Sequence, residues 1–402
     1  MQVVFIISLL LFTGYALLII FYTVSWKQMP RFVPAAIQLA DEDAVKISII
    51  IPARNESANI RACLDSICLQ SYPAHLYEVL VIDDHSTDDT ASIVKNYPAT
   101  NIRLISLQDV LQNGIINSYK KKAIEIAISK ATGQLIVTTD ADCIIPEKWL
   151  QTIAEFYGQT NAALMVMPVA FLPITQSDGL GAKLLSIFQS LDFMVLQGIT
   201  GASVYKKAHS MCNGANLAYT KKVFEEVGGF KGIDHIASGD DMLLMHKIFR
   251  LYPEKVLFIK SPEVIVQTQP APNLKAFINQ RIRWAGKADK YDDKRIFVVL
   301  LLVYFFNVWL MVLIIASLFL PSFFYYTIGL IVAKTLVELL FLIPVAAFFS
   351  NSKLLYYFPF AQPFHILYTV VAGWLGKFGS YSWKGRKVGN RVERLDLPTL
   401  RR

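Results

Sequence analysis

Cysteine is sparse and charge is scarce in this chain. Its 402 residues hold four cysteines, Cys63, Cys68, Cys143 and Cys212, with no Cys-x-x-Cys pair, which excludes a disulfide framework and a zinc knuckle. Cys63 and Cys68 fall five apart in what reads as one helix, so the four are read as reduced thiols in a cytosolic compartment. Only 17% of the residues are charged against 54% hydrophobic, a balance that rules out disorder and exceeds what one soluble domain carries. The net charge of +8 marks no nucleic-acid-binding face, because +6 of it lies between Lys377 and Arg402. Phosphate-cradling glycine motifs are missing too. No Gly-x-Gly-x-x-Gly follows the first expected strand and no Gly-x-x-x-x-Gly-Lys-Ser/Thr occurs anywhere, so any nucleotide is held by other groups.

What the chain has in quantity is long apolar runs. Val3 to Trp26 carries no charge, enough at about 1.5 Å per residue to cross a hydrocarbon core of about 30 Å. No basic n-region precedes it, so residues 1–26 are expected to be a membrane helix rather than a cleaved signal peptide, and Lys27 and Arg31 place the chain beyond this helix in the cytoplasm. A second uncharged run, Ile296 to Ala333, is too long for one span and has Pro321-Ser322 near its middle. It predicts a transmembrane hairpin over 296–349 whose ends, flanked by Lys294-Arg295 and Lys353, both face the cytoplasm. Within it Lys334 and Glu338 lie four apart and neutralise each other on one helix face, or line a path for a polar lipid or glycan. The run 354–376 is interrupted by Pro359, Pro363, Gly373 and Gly376, and a full crossing there would export the basic tail at 377–402. An interfacial or re-entrant segment is therefore expected.

Residues 41–293 change character, with short apolar runs alternating with helical periodicity. Lys46 to Pro52 reads as a buried strand, with Ser57 capping the next helix; Glu78 to Ile82 is a second strand, Ile102 to Ser106 a third and Gln134 to Thr138 a fourth. A helix from about Ser118 to Lys130 precedes the fourth strand. Continuous apolar strands separated by helices predict an α/β domain with a mostly parallel sheet covered on both faces.

Three strand ends in this series carry polar clusters: Arg54-Asn55-Glu56, Asp83-Asp84 and Asp140-Ala141-Asp142. In an open sheet, ligands sit outside the carboxyl ends of the strands. Side-chain period 2 is expected to point Asp140 and Asp142 the same way, offering two hard oxygen ligands that suit Mg2+ or Mn2+. Ser238-Gly239-Asp240-Asp241 precedes an apolar helix, so its carboxylates sit at a helix N-terminus, as caps or as a general base. Gln280-Arg281-Ile282-Arg283-Trp284 stands just before the membrane hairpin, where a basic aromatic helix also serves as an interfacial anchor.

In their order and spacing, Ile51 to Glu56, Val81 to Asp88, Asp140 to Cys143, Asn213 to Asn216 and Gln280 to Trp284 resemble the membrane-attached family 2 glycosyltransferases, the branch of cellulose, hyaluronan and poly-N-acetylglucosamine synthases. The resemblance implies a GT-A, Rossmann-like mixed sheet flanked by helices. It also implies an inverting enzyme that moves a sugar from a nucleotide sugar, UDP-linked, to a lipid-linked or glycan acceptor, with Mg2+ or Mn2+. It assigns the uridine end of the donor to Asp84, with Asp83 and the turn of Pro52, Ala53 and Glu56. It gives the metal to Asp142, and to Asp140 the sugar or ribose with a share in the metal. Asp241 aligns with the base, Asp240 standing where the family has glutamate. Gln280, Arg283 and Trp284 hold the diphosphate and acceptor sugar, and Lys120, in the run Lys120 to Lys122, falls where family members place a nucleotide-contacting lysine. A multi-pass protein of the cell inner membrane, in contact with membrane lipid, is implied. A processive polysaccharide synthase and a membrane scaffold with a degenerate transferase domain are the competing readings.

Overall fold

A computed structural model of the chain describes residues 2–35, 44–110, 118–173, 179–209, 211–234, 236, 239–286, 294–378, 381–383 and 386–388. Asp41 and Asp293, at the expected domain limits, Ser238 and most of the basic tail lie outside the described residues.

The expected β-α alternation is present. Strands β1 (Ile47–Ala53), β2 (Tyr77–Asp83), β3 (Ile102–Ser106) and β4 (Leu135–Thr138) are joined through helices α2 (Ile60–Cys68), α3 (Thr90–Lys95), α4 (Leu107–Val110) and α5 (Tyr119–Lys130). The apolar runs of β1, β2 and β4 are nearly continuous because both faces are covered: Ile49, Val79 and Val137 enter one core cluster, while their neighbours Ile50, Leu80 and Ile136 enter the other. Helix α6 (Trp149–Thr160), strands β5 (Leu164–Val166) and β6 (Val169–Phe171), helix α7 (Leu180–Lys206), strand β7 (Leu217–Thr220) and helices α8 (Lys221–Glu226) and α9 (Asp240–Leu251) come next. Strands β8 (Val256–Phe258) and β9 (Val266–Thr268) and helix α10 (Leu274–Ala285) complete the domain. The main sheet has seven strands in the order β3-β2-β1-β4-β7-β5-β8. Strand β7 runs antiparallel to both β4 and β5, which makes the sheet mixed, and β6 pairs with β9 in a separate ribbon. Successive strands leave β1 in one direction and β4 lies on its other side, so the order reverses between β1 and β4. That is where an open α/β sheet offers a crevice.

Among the described residues four helices are long and apolar enough to cross a membrane: α1 (Gln2–Gln28), α7, α11 (Lys294–Phe319) and α12 (Ser322–Phe348). Helix α7 was not expected from the sequence, and it is mostly buried inside the protein, whereas α1, α11 and α12 turn residues such as Leu10, Leu17, Leu318 and Tyr325 outward. Helix α1 is clamped to the domain at its C-terminal end. Trp26 is buried edge-on to Phe258 and Phe348, and Lys260 donates to the carbonyls of Trp26 and Met29 with its ammonium 4.6 Å from the Trp26 ring centroid. Gly201 of α7 lets that ring approach; a Cβ there would stand 2.9 Å from it.

The proline-interrupted segment is one continuous helix, α13 (Phe358–Phe378), with Pro359 in its first turn and Pro363 inside it. The reading of its glycines as interruptions is corrected. Gly373 and Gly376 are contact points, where a Cβ would meet the Tyr304 ring at 2.7 Å and the Ala285 Cβ at 2.6 Å. Beyond α13, Tyr381–Trp383 pairs antiparallel with Arg386–Val388.

The Lys334–Glu338 pair forms as expected, at 2.6 Å, within a larger buried cluster. Lys334 also donates to Gln362 Oε1 at 2.7 Å, Gln362 Nε2 donates to Glu338 Oε2 at 2.6 Å, and the Tyr15 hydroxyl donates to Glu338. These bonds tie α1, α12 and α13 together. Replacing Glu338 by Ala leaves the fully buried Lys334 ammonium without its counter-charge and is expected to destabilise the protein by about 3–5 kcal/mol. The pairwise change Lys334→Met with Glu338→Leu should cost far less, and unfolding in detergent micelles compares the two.

Candidate active site

The carboxyl ends of β1 and β2 open into two turns that are bonded to each other. Asn55 and His85 adopt left-handed backbone, φ 53° and 55°, a conformation that short polar side chains tolerate. The Ala53 carbonyl, next to Pro52, accepts the Asp84 N–H at 2.8 Å. Thr87 N donates to Asn55 Oδ1, Asn55 N to Ser86 Oγ, Glu56 N to Thr90 Oγ1 and Ser57 N to Asp88 Oδ2. Burial pushes the Asp88 carboxyl up, but hydrogen bonds from Thr90 and Ser57 outweigh it and hold the group well below the usual carboxylate range. These cross-bonds also correct the expected cap: α2 starts at Ile60 after Asn59, while Ser57 is occupied by Asp88. Glu56 Oε2 accepts from Asn59 Nδ2 at 2.9 Å. Asp83 and Asp84 are both buried. Asp83 accepts the Ser86 N–H, and Asp84 Oδ1 stands 3.0 Å from His85 Nδ1 and 3.7 Å from Arg54 Nη1.

The β4 end differs from expectation in detail. The strand stops at Thr138, and Asp140, Ala141 and Asp142 lie in the turn beyond it, so strand alternation does not set the direction of the two carboxylates. Their neighbours do. Lys120 Nζ donates to Asp140 Oδ1 at 2.9 Å, and Cys143 Sγ lies 3.8 Å from Asp142 Oδ1. None of the four cysteines is in a disulfide. Burial, reinforced by the Asp140 and Asp142 charges, pushes the Cys63 and Cys143 thiols well above their usual range, so both stay protonated.

The three lysines expected as one run split three ways. Lys122 reaches Glu125 at 3.5 Å. Lys121 is buried and donates to the carbonyls of Ile233 and Ile236, fastening the segment that leads into α9. Lys120 then meets α9: its ammonium is 3.6 Å from Asp240 Oδ2 as well as 2.9 Å from Asp140. Burial disfavours this ammonium, but the Asp140 and Asp240 charges more than compensate and hold its pKa well above the usual lysine value. Asp241, beside Asp240 in the first turn of α9, accepts the Gly214 N–H on Oδ2 at 3.0 Å and the Met242 N–H on Oδ1 at 2.8 Å. Four segments distant in sequence thus meet at one place: the start of α5, the turn after β4, the turn before β7 and the start of α9.

The last segment of the resemblance, on α10, is organised by a residue to which sequence reading assigned no role. Arg281 is buried, its guanidinium 4.3 Å from the Trp284 ring centroid and 4.7 Å from that of Phe277, and it pairs with Asp192 of α7. The Tyr368 hydroxyl of α13 donates to the other oxygen of Asp192. Gln280 Oε1 accepts from Arg281 Nη1 at 3.1 Å, and Trp284 packs near Phe193. Among the described residues, neither Gln280 nor Trp284 is hydrogen-bonded or ring-packed to the Lys120 cluster. Asp192 had a signal in the sequence: it is the one acid between Leu184 and Val204, a run otherwise free of charge, and such a group inside an apolar helix needs a buried partner.

Among the described residues no group of three or more His, Cys, Asp or Glu side chains gathers as a metal cage. The donor set on hand, the Asp140 and Asp142 carboxylates, consists of hard oxygens. It fits an ion that takes its remaining ligands from water and phosphate, as Mg2+ and Mn2+ do.

Asn216 braces the turn before β7. It is fully buried, donates to the carbonyls of Pro168 and Val264 at 2.7 Å each, and accepts from Trp149 Nε1 at 2.9 Å. Asn216→Ala strips three buried groups of their partner and is expected to cost about 2–5 kcal/mol in unfolding free energy, read from denaturant titration of the purified protein.

The glycosyl transferase family 2 model matches residues 48–228. Glycosyltransferase AglE of Haloferax volcanii is 29% identical over 196 residues, which cover 49% of this chain and 59% of that protein. The beta-monoglucosyldiacylglycerol synthase of a Synechocystis strain is 26% identical over 258 residues, 62% of this chain and 49% of the synthase. The chain thus spans about half the length of the curated relatives it matches. Mannosyltransferase PcManGT from Pyrobaculum calidifontis, solved in complex with GDP-Man and Mn2+, superposes with a TM-score of 0.55 at 19% identity, over 93% of this chain and 98% of that one. At that identity the likeness speaks for the fold, which is GT-A.

Proposed function

Since residues 48–228 form a family 2 glycosyltransferase domain on a GT-A fold, we propose that the chain is an inverting, metal-dependent glycosyltransferase. It moves a sugar from a nucleotide sugar, UDP-linked, to a lipid-linked or glycan acceptor at the cytoplasmic face of the membrane. The observation that carries this reading is the convergence of Asp140, Lys120, Asp240 and Asp241 outside the carboxyl ends of the parallel strands. That is where a donor would lie across the crevice between β1 and β4.

In this reading Asp84, with Asp83 and the Pro52, Ala53 and Glu56 turn, holds the base and ribose of the donor. The bonds that lock the two turns together pre-form this seat. Asp142 and Asp140 would hold Mg2+ or Mn2+, which would supply positive charge to offset that of the departing diphosphate. Asp241 takes the proton of the acceptor hydroxyl. The acceptor oxygen then bonds to the anomeric carbon as the bond from that carbon to the diphosphate oxygen breaks, so one displacement inverts the centre. No second carboxylate nucleophile is required. The Gly214 and Met242 N–H groups orient the Asp241 carboxylate, and each oxygen keeps a lone pair for the incoming proton. Gln280, Arg283 and Trp284 are assigned to the diphosphate and the acceptor sugar.

The proposed organisation has a span at 1–26, the catalytic domain at 41–293, a spanning hairpin at 296–349, an interfacial segment at 354–376 and a basic cytoplasmic tail at 377–402. The exposed apolar faces of α1, α11 and α12 and the basic residues at their ends support it. Three spans are few for a glycan tunnel, which favours single transfer over processive synthesis.

The assignments separate kinetically. Asp241→Asn is expected to lower kcat by about 10² to 10⁴ while leaving donor binding nearly intact. Asp84→Asn should act mainly on the donor KM. Nucleoside diphosphate release from a panel of nucleotide sugars, with donor binding by calorimetry, measures both. Near-normal transfer by Asp241→Asn alongside a dead Asp240→Asn moves the base to Asp240.

A further inference from the structure

Of the two carboxylates assigned to the metal, Asp140 already holds a cation. Its Oδ1 is 2.9 Å from Lys120 Nζ, and that ammonium is kept in place from the other side by Asp240 Oδ2 at 3.6 Å. The side chain is three-quarters buried, and the next residue of α5, Lys121, is fixed by two backbone carbonyls. Moving the ammonium off this spot would give up its hydrogen bond to Asp140 or its ion pair with Asp240.

A divalent ion ligated by Asp140 would come within about one contact distance of this ammonium. Like charges repel strongly at such separations where water is partly excluded. The protein offers the ion little in return, since among the described residues no third His, Cys, Asp or Glu joins these carboxylates as a cage. A diphosphate changes both sides of the balance. It brings oxygen ligands that complete the coordination of the ion, and negative charge that either cation can share.

We propose that Lys120 is a charge placeholder that ties divalent-metal binding to the arrival of the donor diphosphate. In the resting protein its ammonium neutralises Asp140 and keeps the metal affinity low. When the metal and nucleotide enter together, the ammonium gives up Asp140 and stays beside Asp240 and the diphosphate. Lys120 is thus a positioning residue with a thermodynamic signature: the affinities for metal and nucleotide are strongly and reciprocally coupled, and the coupling depends on the charge at position 120. The inference rests on the metal-dependent reading above.

The test measures Mn2+ binding to the full chain in detergent, by the electron paramagnetic resonance signal of free Mn2+, with Mn2+ alone and with saturating UDP or GDP. In the wild-type protein Mn2+ alone should bind weakly and nucleotide should tighten it sharply. Lys120→Met should bind Mn2+ alone at least about tenfold more tightly than wild type, a shift of about 1.4 kcal/mol, and should lose a matching part of the nucleotide effect. Lys120→Arg, which keeps the charge, should behave as wild type. If Lys120→Met does not fold, Lys120→Gln serves the same comparison. Equal Mn2+ affinities and equal nucleotide coupling in the wild-type and neutral variants overturn the placeholder and leave the metal site standing. Absence of Mn2+ binding in every protein, even with UDP and GDP, overturns the metal reading and the placeholder with it.

Discussion

One ammonium connects the parts of this molecule that have to act together. Lys120 Nζ lies between the turn after β4 and the first turn of α9, bridging Asp140, beyond a parallel strand, to Asp240. Its position depends on α5, whose own lysine next in sequence, Lys121, ties down the chain entering α9. Without this counter-charge, the Asp140 and Asp240 carboxylates that flank it would face each other uncompensated. With it, the turn after β4 and the start of α9 are held against each other.

The long apolar helices are coupled to this domain through buried polar groups as well as apolar packing. Helix α7 is central: Gly201 receives Trp26 of α1, Gly198 lies against Phe341 and Val345 of α12, and Asp192 pairs with Arg281 of α10 and with Tyr368 of α13. Helix α10, to which the diphosphate and acceptor contacts are assigned, is thereby fixed relative to α13. Elsewhere on α13, Gln362 enters the Lys334–Glu338 cluster. One helix thus carries two polar locks, one into α12 and one into the segment beside the proposed acceptor site.

The sheet was legible in the sequence because β1, β2 and β4 are covered on both faces, so Ile47 to Ile51 and Tyr77 to Ile82 appear as nearly unbroken apolar runs. The strand-end acids were legible for a related reason: charge directly after such a run has few structural uses. Local detail was less so. Ser57 has the chemistry of a cap, but α2 begins only at Ile60, and the Ser57 hydroxyl and N–H both turn to Asp88, thirty-one positions away. Helix α7 escaped notice because Gly, Ser and Gln punctuate a helix that is buried in the protein rather than in lipid. The prolines and glycines of α13 read as breaks, although Pro359 sits in the first turn, where no partner is lost, and the glycines admit Tyr304 and Ala285. The meeting of Lys120 with Asp240 is tertiary, and nothing local in either segment announces it.

The claim at the centre of this account is that the cluster outside β1, β2 and β4 handles a nucleotide sugar with a divalent metal. Its most direct test is nucleoside diphosphate release by the purified full chain, supplied in turn with UDP- and GDP-sugars, membrane lipid extract and Mn2+, before and after chelation. The account predicts release from at least one donor, transfer of its sugar to a lipid or glycan product, and loss of both on chelation with recovery when Mn2+ is restored. Release that is indifferent to chelation would contradict the metal assignment, and failure to bind or turn over any nucleotide sugar would contradict the account as a whole.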